Sequence, residues 1–196
     1  MQTKIVACSP EALEEAASAL NSGGVVVIPT DTVYGLAAHP AHPEAVARLY
    51  TIKNREERKP VAMLAADRES VESAGYPMPG RAGELADRFW PGALTMVLSR
   101  GGGECRGGFA ATEGFRVPDY EWTRRLLAAC GGLLRVTSAN MSGAKAATDA
   151  AEALASVGLS ADLVVDGGPS PGGTASTVVR FERGEPVVLR QGGAVI

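Results

Sequence analysis

The chain has 196 residues, 45% hydrophobic and 21% charged, with 19 Lys and Arg against 22 Asp and Glu and a formal net charge of −3. That length suits a single α/β domain over residues 1–196 that buries roughly 70% of its unfolded surface, and the slightly acidic balance excludes a protein coating nucleic acid over its whole surface. Three scattered cysteines (Cys8, Cys105, Cys130) exclude a disulfide framework and a zinc ribbon, and no apolar run reaches the ~20 residues of a membrane span or forms a signal-peptide core, so a reduced cytoplasmic protein is expected.

Ser9-Pro10-Glu11 predicts a helix start, with Leu13, Ala16, Ala17 and Leu20 at helical spacing and a stop at Asn21-Ser22-Gly23-Gly24. The β-branched run Val25–Ile28 predicts a strand buried on both faces, which ends at the polar stretch PTDTVYGL (Pro29–Leu36). A second helix is expected from about His42-Pro43 to Lys53, burying Val46, Leu49 and Tyr50, then a strand over Val61–Leu64. A helix from about Gly80 to Phe89 precedes Trp90-Pro91-Gly92, and a strand follows over Leu94–Leu98. After a glycine-rich loop over 101–108 come a short strand Phe115–Val117, a helix Trp122–Cys130 and a strand Leu133–Thr137. Thr148 is expected to cap a helix through Leu154, and strands near Leu163–Val165, Thr177–Phe181 and Val187–Arg190 close the chain. Alternation of strand and helix that gives way to consecutive strands predicts one open, twisted mixed sheet with packed helices.

Four polar residues stand where regular elements give way to loops: Lys53 and Arg55, and Ser138 and Asn140. Two cations beside a hydroxyl and an amide suit a polyphosphate and a small carboxylate, the arginine acting as a fork and the lysine as a point charge. Taken alone, Lys53 and Arg55 also fit solvated charges at a helix end, where cations are favoured. Thr30 and Thr32 bring hydroxyls to a strand end, where α/β sheets place ligands, although a Pro-initiated turn explains them as well. Asp31 either holds a metal or anchors that turn. Arg116 is either an edge-strand residue or a carboxylate ligand pointing into a cleft. SANMSG offers hydroxyls, an amide and backbone N–H groups to phosphate oxygens, or is an ordinary Ser/Asn/Gly turn, and Gly172–Thr177 repeats that small polar chemistry. The dinucleotide, P-loop and GxSxG fingerprints are all missing, and His39 and His42 read as helix-flanking residues.

Taken together, GGVVVIPTDTVYGL, KNREERKP, FWPGALTMVL, FRVP, TSANMSG, VVDGG, STVV and LRQG, in this order, resemble the YrdC-type threonylcarbamoyl-AMP synthase family nearly end to end. The resemblance implies an open α/β sheet with a positively charged concave face. It implies a reaction of L-threonine, bicarbonate and ATP to threonylcarbamoyl-AMP and pyrophosphate, with Mg²⁺ arriving on the nucleotide. Other proteins, a downstream transferase complex, would pass the group to tRNA, and a direct RNA contact is compatible with the concave face. By motif, Lys53, Arg55, Ser138 and Asn140 correspond to the catalytic set around the phosphates, with Lys59, Thr112 and Arg190 as further ATP-side positions. Thr30, Thr32, Arg116 and Ser176 correspond to the threonine side. This chain departs from the usual pattern at Glu56, Ala146-Ala147 and Asp119-Tyr120. The rival readings are a carbamoyl-adenylating relative and a non-catalytic RNA-binding module.

Overall fold

Ser9 adopts an extended conformation and its hydroxyl accepts from the Ala12 N–H, so the helix predicted at Pro10 begins there. The structure is a computed structural model that describes residues 3–56, 59–101 and 110–196. Its elements are β1 (Lys4–Ala7), α1 (Pro10–Asn21), β2 (Val25–Ile28), β3 (Gly35–Ala38), α2 (Pro43–Lys53), β4 (Met63–Ala65), α3 (Arg68–Ser73) and α4 (Arg81–Phe89). They continue with β5 (Leu94–Ser99), β6 (Thr112–Arg116), α5 (Glu121–Ala129), β7 (Leu133–Ser138), α6 (Ala150–Ser156), a 3-10 turn (Gly158–Ser160), β8 (Leu163–Asp166), β9 (Thr177–Glu182) and β10 (Glu185–Arg190). All ten strands join one mixed sheet in the order β1-β8-β2-β3-β7-β4-β6-β5-β9-β10. Among the described residues, no helix is long and apolar enough to cross a membrane.

Strand alternation sends successive side chains to opposite faces, and the core divides accordingly. Val26, Ile28, Leu134 and Val136 face α1 and α5. Val25, Val27, Leu36 and Ala38 face α2 and α6 on the opposite side. Met63, Met96, Phe115 and Val179 pack under α3 and α4. Three of the four quadrants are thus covered. The remaining face, on β4, β5, β6 and β9 beside the end of β7, carries Leu64, Thr95, Val97, Gly114, Arg116, Val178 and Ser138 and lines a cavity. No helix among the described residues covers it.

Several expectations are corrected. β1, β3 and α3 carry no sequence signal of their own. β1 is a mostly exposed edge strand, α3 spans only six residues, and the Gly-Leu-Ala-Ala of β3 becomes a strand because β2 and β7 flank it. β4 starts two residues later than expected, and β6 begins at Thr112 and ends at Arg116, ahead of Val117-Pro118. In α2 the fully inward line is Ala45, Leu49 and Lys53, with Val46 and Tyr50 only half-buried. The cap of α6 is Asp149, not Thr148: the Asp149 carboxylate accepts from the Glu152 N–H at 2.8 Å, while the Thr148 hydroxyl donates to the Glu152 carboxylate at 2.9 Å. Cys105 and all of the glycine-rich loop except Gly101 lie outside the described residues.

Candidate active site

The cavity has a volume of about 320 Å³. Its wall at the end of β2 is the turn beginning at Pro29. The Thr30 hydroxyl donates to the Val33 carbonyl at 2.6 Å and lies 3.1 Å from the Thr32 hydroxyl, so the turn is closed by its own side chains. Gly35 follows because nothing larger fits: a Cβ there would sit 2.5 Å from Val136 Cγ1. Behind the turn the Tyr34 hydroxyl donates to the Gly168 carbonyl at 2.6 Å, and burial pushes its pKa up to about 12.

Arg116 projects from the end of β6 into this turn. Its Nη2 donates to the Asp31 carboxylate, its Nη1 to the Thr32 hydroxyl at 2.7 Å and its Nε to the Gly92 carbonyl at 2.9 Å. Arg116 is therefore a cleft residue and not an edge-strand one, and the Asp31 carboxylate is paired with it. The guanidinium is fixed on three sides by partners from two loops, which is the preorganisation that a carboxylate fork requires.

A second guanidinium enters from β10. Pairing shifts between Val188 and Arg190, and this irregularity sets Arg190 opposite Val178 at the cavity. Arg190 Nη2 donates to the Ser176 carbonyl at 2.7 Å, while the Ser176 hydroxyl lies 2.7 Å from that of Thr95. Arg55, just past the end of α2, donates through Nε to the Lys59 carbonyl and through Nη2 to the Pro60 carbonyl, both at 3.0 Å, and it too lines the cavity. Burial, followed by the field of Arg55, lowers the Arg190 pKa. Burial also lowers that of Arg116, with Asp31 opposing and Arg190 adding to the shift. Three arginines that feel one another across a partly apolar cavity make a site whose repulsion an anion relieves.

Thr30, Thr32, Arg55, Thr112, Arg116, Ser138, Ser176 and Arg190 are therefore brought together around one cavity. Lys53, Lys59 and Asn140 are not among its lining residues. Lys59 pairs with Glu56 at 3.0 Å on the surface. Lys53 is 1% exposed, so it is not a solvated helix-end charge. Its Nζ donates to the main-chain oxygens of Ser138 and Asn140 and to the Asn140 side-chain oxygen, the last at 3.2 Å. Asn140 in turn donates to the carbonyls of Met141 and Ala144 at 2.8 and 2.7 Å. The N–H groups of residues 139 to 142 are spent on the Tyr34, Ser138 and Lys53 carbonyls and the Ser156 hydroxyl. The expectation that this loop offers its amides to a phosphate gives way to a loop tied from behind, with the side chain of Ser138 at the cavity.

Sequence reasoning missed Thr95 and Glu113. The Glu113 carboxylate is paired with Arg135 at 2.5 and 2.7 Å and accepts from the Ala110 N–H at 3.0 Å. Only the β4–β6–β7 pairing brings residues 113 and 135 together, so no local spacing announced them. Among the described residues, no group of three or more His, Cys, Asp or Glu is arranged to hold a metal.

An open mixed sheet with one quadrant that no helix covers among the described residues, lined by arginines and hydroxyls, defines an α/β protein with a cavity suited to anionic ligands. Residues 18–192 match the Sua5/YciO/YrdC family, which carries the description "Telomere recombination", and the chain belongs to that family. It is 35% identical over 184 residues to the threonylcarbamoyl-AMP synthase of Bacillus subtilis, covering 92% of this chain and 53% of that one. It is 35% identical over 160 residues to that of Halorhodospira halophila, covering 81% of this chain and 84% of the relative. Among solved structures, the P. abyssi Sua5 protein complexed with L-threonine superposes with a TM-score of 0.88 at 32% identity, over 97% of this chain and 58% of that one. The chain thus spans little more than half the length of some relatives and most of the length of others.

Proposed function

We propose that this chain is a threonylcarbamoyl-AMP synthase, converting L-threonine, bicarbonate and ATP to threonylcarbamoyl-AMP and pyrophosphate. The observation that carries the reading is the division of the cavity. One wall holds Arg116, fixed by Asp31 and Thr32, and the other holds Arg55 and Arg190, with Ser176 between them. A fork with a hydroxyl beside it suits an α-carboxylate and its neighbouring polar groups, while two mutually repelling guanidiniums suit a polyphosphate. The names of the relatives and the threonine complex of the Sua5 protein support the same assignment.

In this reading the threonine carboxylate lies on Arg116, with Thr30, Thr32 and Ser176 beside it, and the phosphates lie toward Arg55, Arg190, Thr112 and Ser138. The neutral amine attacks the carbon of bicarbonate with loss of water, or of its dehydrated form, carbon dioxide, with loss of a proton, to give a carbamate. A carbamate oxygen then bonds to the α-phosphorus as the bond to the bridging oxygen breaks and pyrophosphate leaves. Both steps bring anions together, so positioning and charge neutralisation supply the catalysis and no covalent enzyme nucleophile is required. Among the described residues, the Glu113 carboxylate that lines the cavity and the Asp31 carboxylate that holds Arg116 are each engaged by an arginine. Mg²⁺ would therefore be held mainly by phosphate oxygens, where it neutralises their charge. The product would pass, in the cytoplasm, to a transferase acting on tRNA.

The test incubates the protein with ATP, Mg²⁺, bicarbonate and L-threonine and follows pyrophosphate and an acyl-adenylate. Release that needs both threonine and bicarbonate supports the reading. Equal release without threonine, or with carbamoyl phosphate replacing both, moves the chain to the carbamoyl-adenylating class.

A further inference from the structure

The two sides of the cavity share one support that is not part of its lining. Thr177, the first residue of β9, is fully buried. Its hydroxyl donates to the Ala194 carbonyl at 2.6 Å and accepts from the N–H groups of Gly192 at 2.9 Å and Ala194 at 3.2 Å, with the Gln191 amide at 3.4 Å. One side chain thus holds the segment that follows Arg190 against the start of the strand that follows Ser176. The fit there leaves no slack. A Cβ at Gly192 would lie 2.1 Å from the Ala175 carbonyl oxygen and 2.4 Å from the Ser176 carbonyl carbon. The Gly193 N–H donates to that same Ala175 carbonyl at 3.0 Å. Within this closure Arg190 reaches the Ser176 carbonyl, and Ser176 reaches Thr95.

We infer that Thr177, with Gly192, is a positioning residue that fixes the amino-acid-side Ser176 and the nucleotide-side Arg190 relative to each other. The inference rests on the proposed function for which ligand lies on which side, and on the hydrogen bonds alone for the closure itself. Thr177 touches no ligand. It acts because its hydroxyl joins the two backbone segments that carry Ser176 and Arg190. Losing its hydroxyl leaves the Gly192 and Ala194 N–H groups without their partner and the Ala194 carbonyl held by the Gln191 amide at 2.8 Å, and lets the Ser176 and Arg190 backbones separate. A purely structural role would lower stability and leave affinities alone. A positioning role weakens both substrates together.

The experiment measures KM for ATP and for L-threonine, and kcat, in wild type, Thr177→Val and Thr177→Ser, with amide exchange at Gly192 and Ala194 as a readout independent of activity. Thr177→Val is expected to raise both KM values about tenfold with kcat within about threefold, and Thr177→Ser to return both to within about twofold. Wild-type KM values in Thr177→Val, or a fall in kcat alone, overturn the inference. If Thr177→Val does not fold, Gln191→Ala, which trims the same clasp from its exposed side, decides. Both KM values should rise about threefold, and unchanged values overturn it. A wild-type protein without threonine-dependent pyrophosphate release overturns the proposed function and not the clasp. Exchange at Gly192 and Ala194 then decides, where equal protection in wild type and Thr177→Val rules the clasp out.

Discussion

The ammonium of Lys53 is bound to the main-chain oxygens of Ser138 and Asn140, so α2 carries the loop after β7 on its last residue. The Ser142 N–H returns a bond to the Lys53 carbonyl at 3.0 Å, which ties side chain and main chain to the same loop. A lysine that only contacted phosphate would leave stability untouched when removed. Lys53→Met should instead cost about 1.5–3 kcal/mol of unfolding free energy, the range for hydrogen bonds to a charged group, and weaken ATP binding through the displaced Ser138. Urea unfolding and calorimetric titration of the same variant check both halves. Lost affinity at unchanged stability would make Lys53 a ligand and not a support.

Burial and then the neighbouring Arg55 charge push the Lys53 pKa down from 10.5 to about 8. The folded value lies below the unfolded one. Below about pH 8 both states carry the proton and the cost of burying the charge is felt in full. From about 8 to 10.5 only the unfolded chain retains it, so this group makes folding more favourable as pH rises through that window, by up to roughly 3 kcal/mol. The stability of wild type relative to Lys53→Met should accordingly increase between pH 8 and 10.5, measured by urea unfolding at matched ionic strength. A constant difference would show that Lys53 keeps an ordinary pKa.

The strand Val25–Ile28, the Ser9 cap and the overall mixture of strand and helix were legible because each is a local signal of burial or capping. The cavity position of Arg116, Arg190 and Ser176 was legible only through motif resemblance, since an arginine between apolar neighbours fits an edge as well as a cleft. Lys53 misled for a specific reason. It falls eight residues after Ala45 and four after Leu49, on the inward line of α2, but lysine is so often exposed that its place on that line carries no signal of burial. The pairs Glu113–Arg135 and Thr177–Ala194 join residues far apart in sequence and leave no periodicity to read.

Arg55 holds two carbonyls with its fork while lining the cavity, so its planarity serves the loop as well as a ligand. Arg55→Lys keeps the charge and loses the paired geometry. A reduction of kcat/KM of about ten- to hundredfold is expected, corresponding to ~1–3 kcal/mol. Steady-state pyrophosphate release, with circular dichroism confirming the fold, is the measurement. Wild-type kinetics would show that Arg55 serves its loop and not a ligand.

Arg116 and Asp31 allow the amino-acid wall to be separated from the nucleotide wall. Arg116→Ala removes the proposed carboxylate ligand and strands the Asp31 carboxylate, whose side chain is 12% exposed. Threonine affinity should fall strongly, by an amount matching the ~1.5–3 kcal/mol of a charge-assisted bond, with ATP affinity within a few-fold of wild type. Asp31→Asn keeps Arg116 in place but removes the charge that opposes its repulsion from Arg190. The guanidinium then keeps its Thr32 and Gly92 contacts and exchanges a charge-assisted third bond for a neutral one to the amide oxygen, so threonine binding should weaken by less than in Arg116→Ala. Ser138→Ala should act on ATP instead and more mildly, at about 0.5–1.5 kcal/mol for a neutral hydroxyl. Titrating each variant with each substrate separately gives six affinities, and the order of effects follows from geometry alone. If Arg116→Ala harms ATP and spares threonine, the two walls are assigned the wrong way round, whatever the family of the chain.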